Sequence, residues 1–114
     1  MKTSVKISFV VVVMLALMSF GFVKTQLVVT VRNELGNLES GVTIQLYEKE
    51  EDYKLEQNIA FEGITDAKGV LRFKDVKGIN YFVLARKDDK DNTGGGEQTK
   101  LDEGKINKVT IIIQ

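Results

Sequence analysis

The sequence predicts an all-β domain, a Greek-key sandwich of six or seven short antiparallel strands, preceded by an N-terminal signal helix. Three observations carry this. Apolar residues recur at every second position in several short stretches, the pattern of half-buried strands. Breaks rich in Gly, Asn and Asp separate those stretches at roughly 8–12-residue spacing, as in sandwiches. Beyond the leader there is no proline and no long stripe at helical spacing.

Residues 1–25 read as a signal peptide and residues 26–114 as the β-sandwich domain. Lys2 and Lys6 precede an apolar run over residues 7–23, interrupted only by Ser8, Ser19 and Gly21. A basic segment followed by an apolar one is the layout of an export signal. The run's 17 residues reach the lower end of the roughly 17–25 that span a bilayer as a helix, so an uncleaved membrane anchor is the alternative. The domain is then periplasmic or extracellular, touching a membrane only through residues 7–23 if the leader is retained.

Composition narrows the function. There is no cysteine and no histidine, which removes the thiol nucleophile, the imidazole base and the commonest ligands of zinc, copper and iron. Without Lys2, Lys6 and Lys24 the mature chain keeps 13 basic against 16 acidic side chains. That mildly acidic balance, with its scattered lysines, gives no electrostatic reason to bind nucleic acid. No enzyme class is favoured and no cofactor is implied.

The elements follow in order. Residues 26–32 (QLVVTVR) make a β-branched first strand, with Leu27, Val29 and Val31 on one face. After turns at residues 33–37 and 40–41, Val42, Ile44 and Leu46 point inward on a second strand and Thr43, Gln45 and Tyr47 outward. Residues 48–54 (EKEEDYK) read as a charged loop. Residues 55–63 read as a short strand through Ile59 and Phe61, in preference to a helix across residues 48–61 that the composition would also allow. Residues 63–85 are the clearest stretch: Leu71 and Phe73 alternate with Arg72 and Lys74, and Tyr81, Val83 and Ala85 share a face. Residues 88–96 (DDKDNTGGG) read as an exposed loop, residues 98–101 as a short edge strand, and residues 105–114 as the closing strand.

The segments Thr65-Asp66-x-x-Gly69-x-x-x-Phe73 and Gly78-x-x-Tyr81-x-Val83-x-Ala85, flanked by Gly41–Tyr47 and Val109–Ile111 strands, are familiar in combination. The chain from about Leu27 to Ile113 resembles the transthyretin-like, carboxypeptidase-regulatory-like β-sandwich domains of exported bacterial proteins. The resemblance implies a non-catalytic module, with Thr65, Asp66, Gly69, Phe73, Gly78 and Tyr81 as residues of the fold motif. Enzymatic relatives of that fold depend on histidines, which this sequence lacks.

Three kinds of site are compatible with what is left. Asp89, Asp91 and Asn92, within the Asp88–Asn92 run, match the first half of a calcium loop, but Lys100 stands where the closing glutamate belongs. Tyr47 and Tyr53, if exposed together, would stack on a glycan. Apolar residues on outward faces, Val28 and Ile112 beside Thr30 and residues 98–101, mark sheet edges that another envelope protein can complete. The structural or protein-interaction module is the leading expectation, and the glycan or calcium module is the alternative.

Overall fold

The computed structural model describes residues 23–114. The expected leader falls on residues outside that span, apart from its last three positions. Among those, Thr25 is already part of the domain: its hydroxyl accepts from the Gly104 amide and its carbonyl from the Val76 amide.

The described residues fold mostly as strands in two sheets: β1 (Gln26–Asn33), β2 (Thr43–Tyr47), β3 (Phe61–Ile64), β4 (Val70–Phe73), β5 (Asn80–Lys87), β6 (Lys90–Asp91), β7 (Gln98–Lys100) and β8 (Ile106–Ile113), with one short helix, α1 (Glu50–Leu55), between β2 and β3. The smaller sheet has the order β4-β1-β8. The larger runs β3-β2-β5, with β6 and β7 one after the other along the far flank of β5. All pairs are antiparallel except β1 with β8, which run parallel. The whole larger sheet lies between them in sequence, so β8 enters beside β1 by a long crossover, the connection parallel neighbours require.

Alternation places the core where the sequence predicts. Leu27, Val29, Val31, Ile111 and Ile113 of the smaller sheet face Ile44, Leu46, Tyr81, Val83 and Ala85 of the larger, all essentially buried. Phe61 sets its ring edge-on to Phe73 at 6.2 Å and to Tyr81 at 6.1 Å, linking the two sheets through one aromatic trio. Burial of each large side chain stabilises by about 1.5–3 kcal/mol, whereas exposed ion pairs such as Lys24–Asp75 and Lys54–Glu50 contribute about 0–1 kcal/mol each. The inner faces therefore dominate.

The chain crosses from β3 in one sheet to β4 in the other over residues 65–69. Buried Thr65 accepts from the Val42 amide through its hydroxyl and donates to the Glu39 carbonyl, both at 2.9 Å. Asp66 accepts from the amides of Lys68 and Val70 at 2.8 and 3.0 Å, the side-chain turn that Asp favours. Gly69 has φ +73°, and a Cβ there would lie 3.0 Å from the Val31 oxygen and the Glu39 nitrogen. Gly78 is required for space alone, since a Cβ would meet the Glu103 backbone at 2.7 Å.

Two segments differ from the sequence reading. Residues 50–55 are helical rather than looped, so the helical alternative is realised for six residues, and the strand that follows is confined to β3. Three acidic residues in its first turn suit the helix dipole, and Tyr53 fastens it to the sheet (below). Residues 88–96 are only partly an exposed loop, because they contain β6 and the buried Asn92.

Two outcomes are expected. Gly69→Ala combines left-handed strain with a backbone clash and should cost at least about 1–2 kcal/mol in urea unfolding. The carboxyl of Asp66 is held below its ordinary value by the Val70 and Lys68 amides. Its contribution is therefore complete above the unfolded pKa, about 3.9, and is lost as pH falls through the lowered folded value. Asp66→Asn should flatten that part of the acid limb of a stability-versus-pH curve.

Candidate functional site

The outward face of the larger sheet is not bare. Tyr47 does point away from the sandwich, as its position in β2 dictates, yet it is fully buried. The cause is α1, which folds back over this face. Tyr53 from the helix stacks on Phe82 of β5, 6.0 Å between centroids and 25° between planes, and meets Tyr47 edge-on at 6.0 Å. The Tyr53 hydroxyl donates to Glu97 at 2.7 Å, and the Tyr47 hydroxyl to Gln45 at 2.7 Å. Burial, joined by the Glu97 carboxylate, pushes the Tyr53 hydroxyl well above the usual tyrosine range. The expected exposed tyrosine pair is thus one buried ring, Tyr47, and one half-buried ring, Tyr53, stacked on Phe82, so the two do not form an open platform for a sugar.

Beside it a cleft of about 310 Å³ is lined by Thr43, Gln45, Leu84, Arg86 and Asp88. Its one cation is occupied: the Arg86 guanidinium makes a two-pronged contact with Glu56 at 3.0 and 3.3 Å. The cleft offers no free charge of the sign an anion needs.

The calcium expectation also meets a structural use. Asn92 is buried, and its amide works as a replacement strand segment for β5. Its Oδ1 accepts from the Ala85 amide at 3.0 Å, while its Nδ2 donates to the Val83 carbonyl at 2.8 Å. It fills the gap in the β5 ladder between β6 and β7, where residues 93–96 loop out. Asp91 turns its carboxylate to the Thr93 amide. Asp89 is exposed. Among the described residues no three Asp or Glu side chains converge as metal ligands would, and Asn92 cannot serve as one without giving up β5.

The fold-motif residues stand together around the core. Thr65, Asp66 and Gly69 form the crossing, Phe73 and Tyr81 enter the aromatic trio, and Gly78 sits against Glu103. The Tyr81 hydroxyl accepts from the Lys77 amide, four residues upstream, at 2.9 Å.

The sheet-edge expectation divides. Val28 and Thr30 are not on an edge, because β1 is the middle strand of the smaller sheet. Residues 98–100 pair with β5 as β7, a strand of only three residues. Ile112 is on an edge: β8 is eight residues long and has one strand neighbour, β1. The Gln26 amide donates to the Lys105 carbonyl, so odd-numbered residues of β8 turn their peptide groups toward β1. Even-numbered residues turn theirs to the open side, and Gln114 demonstrates it by exchanging two backbone bonds there with Asp91, at 3.0 and 3.3 Å. From Ile106 to Ile112 that side has no further strand beside it among the described residues. The side chains next to it include Ile106 at 51% and Ile112 at 44% exposure. The even-residue parity was readable only once the direction of β1 against β8 was known.

No family model matches the chain, and no curated protein matches it.

Asn92→Ala would orphan the Ala85 amide and the Val83 carbonyl, two buried groups costing about 1–3 kcal/mol each. A fall in unfolding free energy of about 2–5 kcal/mol is expected from urea titration. Calcium added to the intact protein is expected to leave the melting temperature unchanged.

Proposed function

We propose that this chain is a non-catalytic, exported β-sandwich module of transthyretin-like, Greek-key type that holds another envelope protein by strand addition at β8. The observation that carries the reading is the open side of β8. A strand edge with unpaired donors and acceptors binds an extended segment through main-chain hydrogen bonds, while side-chain pockets on alternate residues set the choice of partner. Ile106 and Ile112 supply apolar contacts at the two ends of that edge.

Support for export comes from Lys2, Lys6 and the apolar run that follows. Support for a role without chemistry comes from the composition, which lacks histidine and cysteine. The Greek-key, transthyretin-like assignment is favoured by the chain changing sheet between β1 and β2, β3 and β4, β4 and β5, and β7 and β8, and by the hydroxyl of Tyr81 bonding back to Lys77. A tyrosine that ties its hydroxyl to the backbone a few residues upstream is a recurring device of Greek-key sandwiches.

The test uses two substitutions that leave the β1 ladder intact. Thr110→Pro removes an amide on the open side, a position where an edge strand tolerates proline. Ile112→Lys replaces an exposed apolar contact. Both variants are expected to unfold within about 1 kcal/mol of the parent, as surface changes do, and to lose a stoichiometric partner that the parent recovers from envelope extract. Recovery unchanged by Thr110→Pro rules out strand addition at β8. Unfolding by Ile112→Lys would mean that this side chain belongs to the core.

A further inference from the structure

The face that the open edge borders has one sign of charge. On the outer side of the smaller sheet, Lys108 of β8 and Arg72 of β4 flank Val28 of β1 from either side, and Arg32 stands beside Ile112. No Asp or Glu occupies an outward position of β1, β4 or β8. The mature chain carries more acidic than basic side chains, so this face runs against the chain's own balance. Arg32 spends a donor on the Gly36 carbonyl and Arg72 on Gln26, both neutral partners that leave the positive charge uncompensated.

Resting on the strand-addition reading, we infer that the segment received by β8 is an acidic, alternating strand, with a carboxylate opposite Lys108 and apolar residues opposite Ile106 and Ile112. Directly opposed residues on neighbouring strands bring their Cβ atoms within about 4.5–5.5 Å. A Glu or Asp opposite Lys108 therefore forms a cross-strand ion pair, with Arg72 behind it on the same face. A lysine there repels. Period-two geometry spaces the requirements along the guest: apolar, then polar opposite Thr110, then acidic, then apolar, each two residues from the last. Asp91 marks one end of the slot, because it already holds the open-side peptide groups of Gln114.

Two fluorescein-labelled peptides test this: one contains Val-Ala-Thr-Val-Glu-Ser-Val, the other has Lys in place of Glu. Fluorescence anisotropy with the parent domain at low salt should favour the Glu peptide by roughly 3- to 10-fold, the range expected of one cross-strand charge pair against its repulsive counterpart. Lys108→Glu should reverse that order. Raising the salt to about 0.5 M should narrow the gap, because exposed pairs are screened, and Thr110→Pro should weaken both peptides together. Equal binding of both peptides by the parent, with loss of both in Thr110→Pro, overturns the acidic preference and leaves strand addition standing. Binding of neither peptide, or binding indifferent to Thr110→Pro, overturns both. A dimer in sedimentation velocity that Thr110→Pro dissolves would place a second copy on the edge and also overturn the acidic guest.

Discussion

The two sheets depend on the crossing between β3 and β4. A sandwich needs at least one place where the chain leaves one sheet and enters the other without losing backbone hydrogen bonds, because unpaired buried polar groups are costly. Thr65 solves this by lending its hydroxyl to both Val42 and Glu39, and Asp66 by holding the Lys68 and Val70 amides. Gly69 completes it, in a left-handed conformation and so close to Val31 and Glu39 that a Cβ would crowd their backbone. With the crossing fixed, β4 is placed against β1 and β3 against β2. Phe61 and Phe73 are thereby delivered to the same space as Tyr81.

Most of this was legible because it is local. Alternation in residues 70–73 and 81–85, and the Thr-Asp-x-x-Gly turn, depend on neighbours in sequence, and the inward residues Leu27, Val29, Val31, Ile44, Leu46, Phe73, Tyr81 and Val83 are buried, with Leu71 half-buried against them. What was not legible depends on distant partners. A six-residue helix has little stability of its own; α1 exists against the sheet because Tyr53 finds Phe82 and Glu97. The same packing buries Tyr47, whose outward parity was read correctly and whose exposure was not. Asn92 sits in a polar, glycine-rich run that looks like a solvated loop, and only the interrupted flank of β5 gives its amide a use.

The candidate edge shows the same division. An apolar Ile112 on an outward position was visible in the sequence, and so was Val28. Which of the two borders an edge is a matter of strand order, and strand order follows from the long crossover that brings β8 beside β1. Val28 is flanked on both sides, with Arg72 and Lys108 as its neighbours. Ile112 has a neighbour on one side only. Sequence periodicity reports a face; it carries no information about how many strands that face extends.

An open edge running from Ile106 to Ile112 is a hazard in a domain without prolines, since it invites pairing with any other strand. Elsewhere the fold limits such edges. β3 and β4 are four residues each and turn into one another, while β6 and β7 are shorter still. On β8 the restraint is chemical, and Lys108 supplies it at the middle of the strand. Two copies pairing antiparallel about Lys108 would set lysine against lysine, which is unfavourable for directly opposed residues. A guest with a carboxylate at that point meets attraction instead. One charge in the centre of an otherwise permissive edge therefore discourages indiscriminate pairing and supplies a criterion for a partner, which is the combination that specificity by exclusion requires.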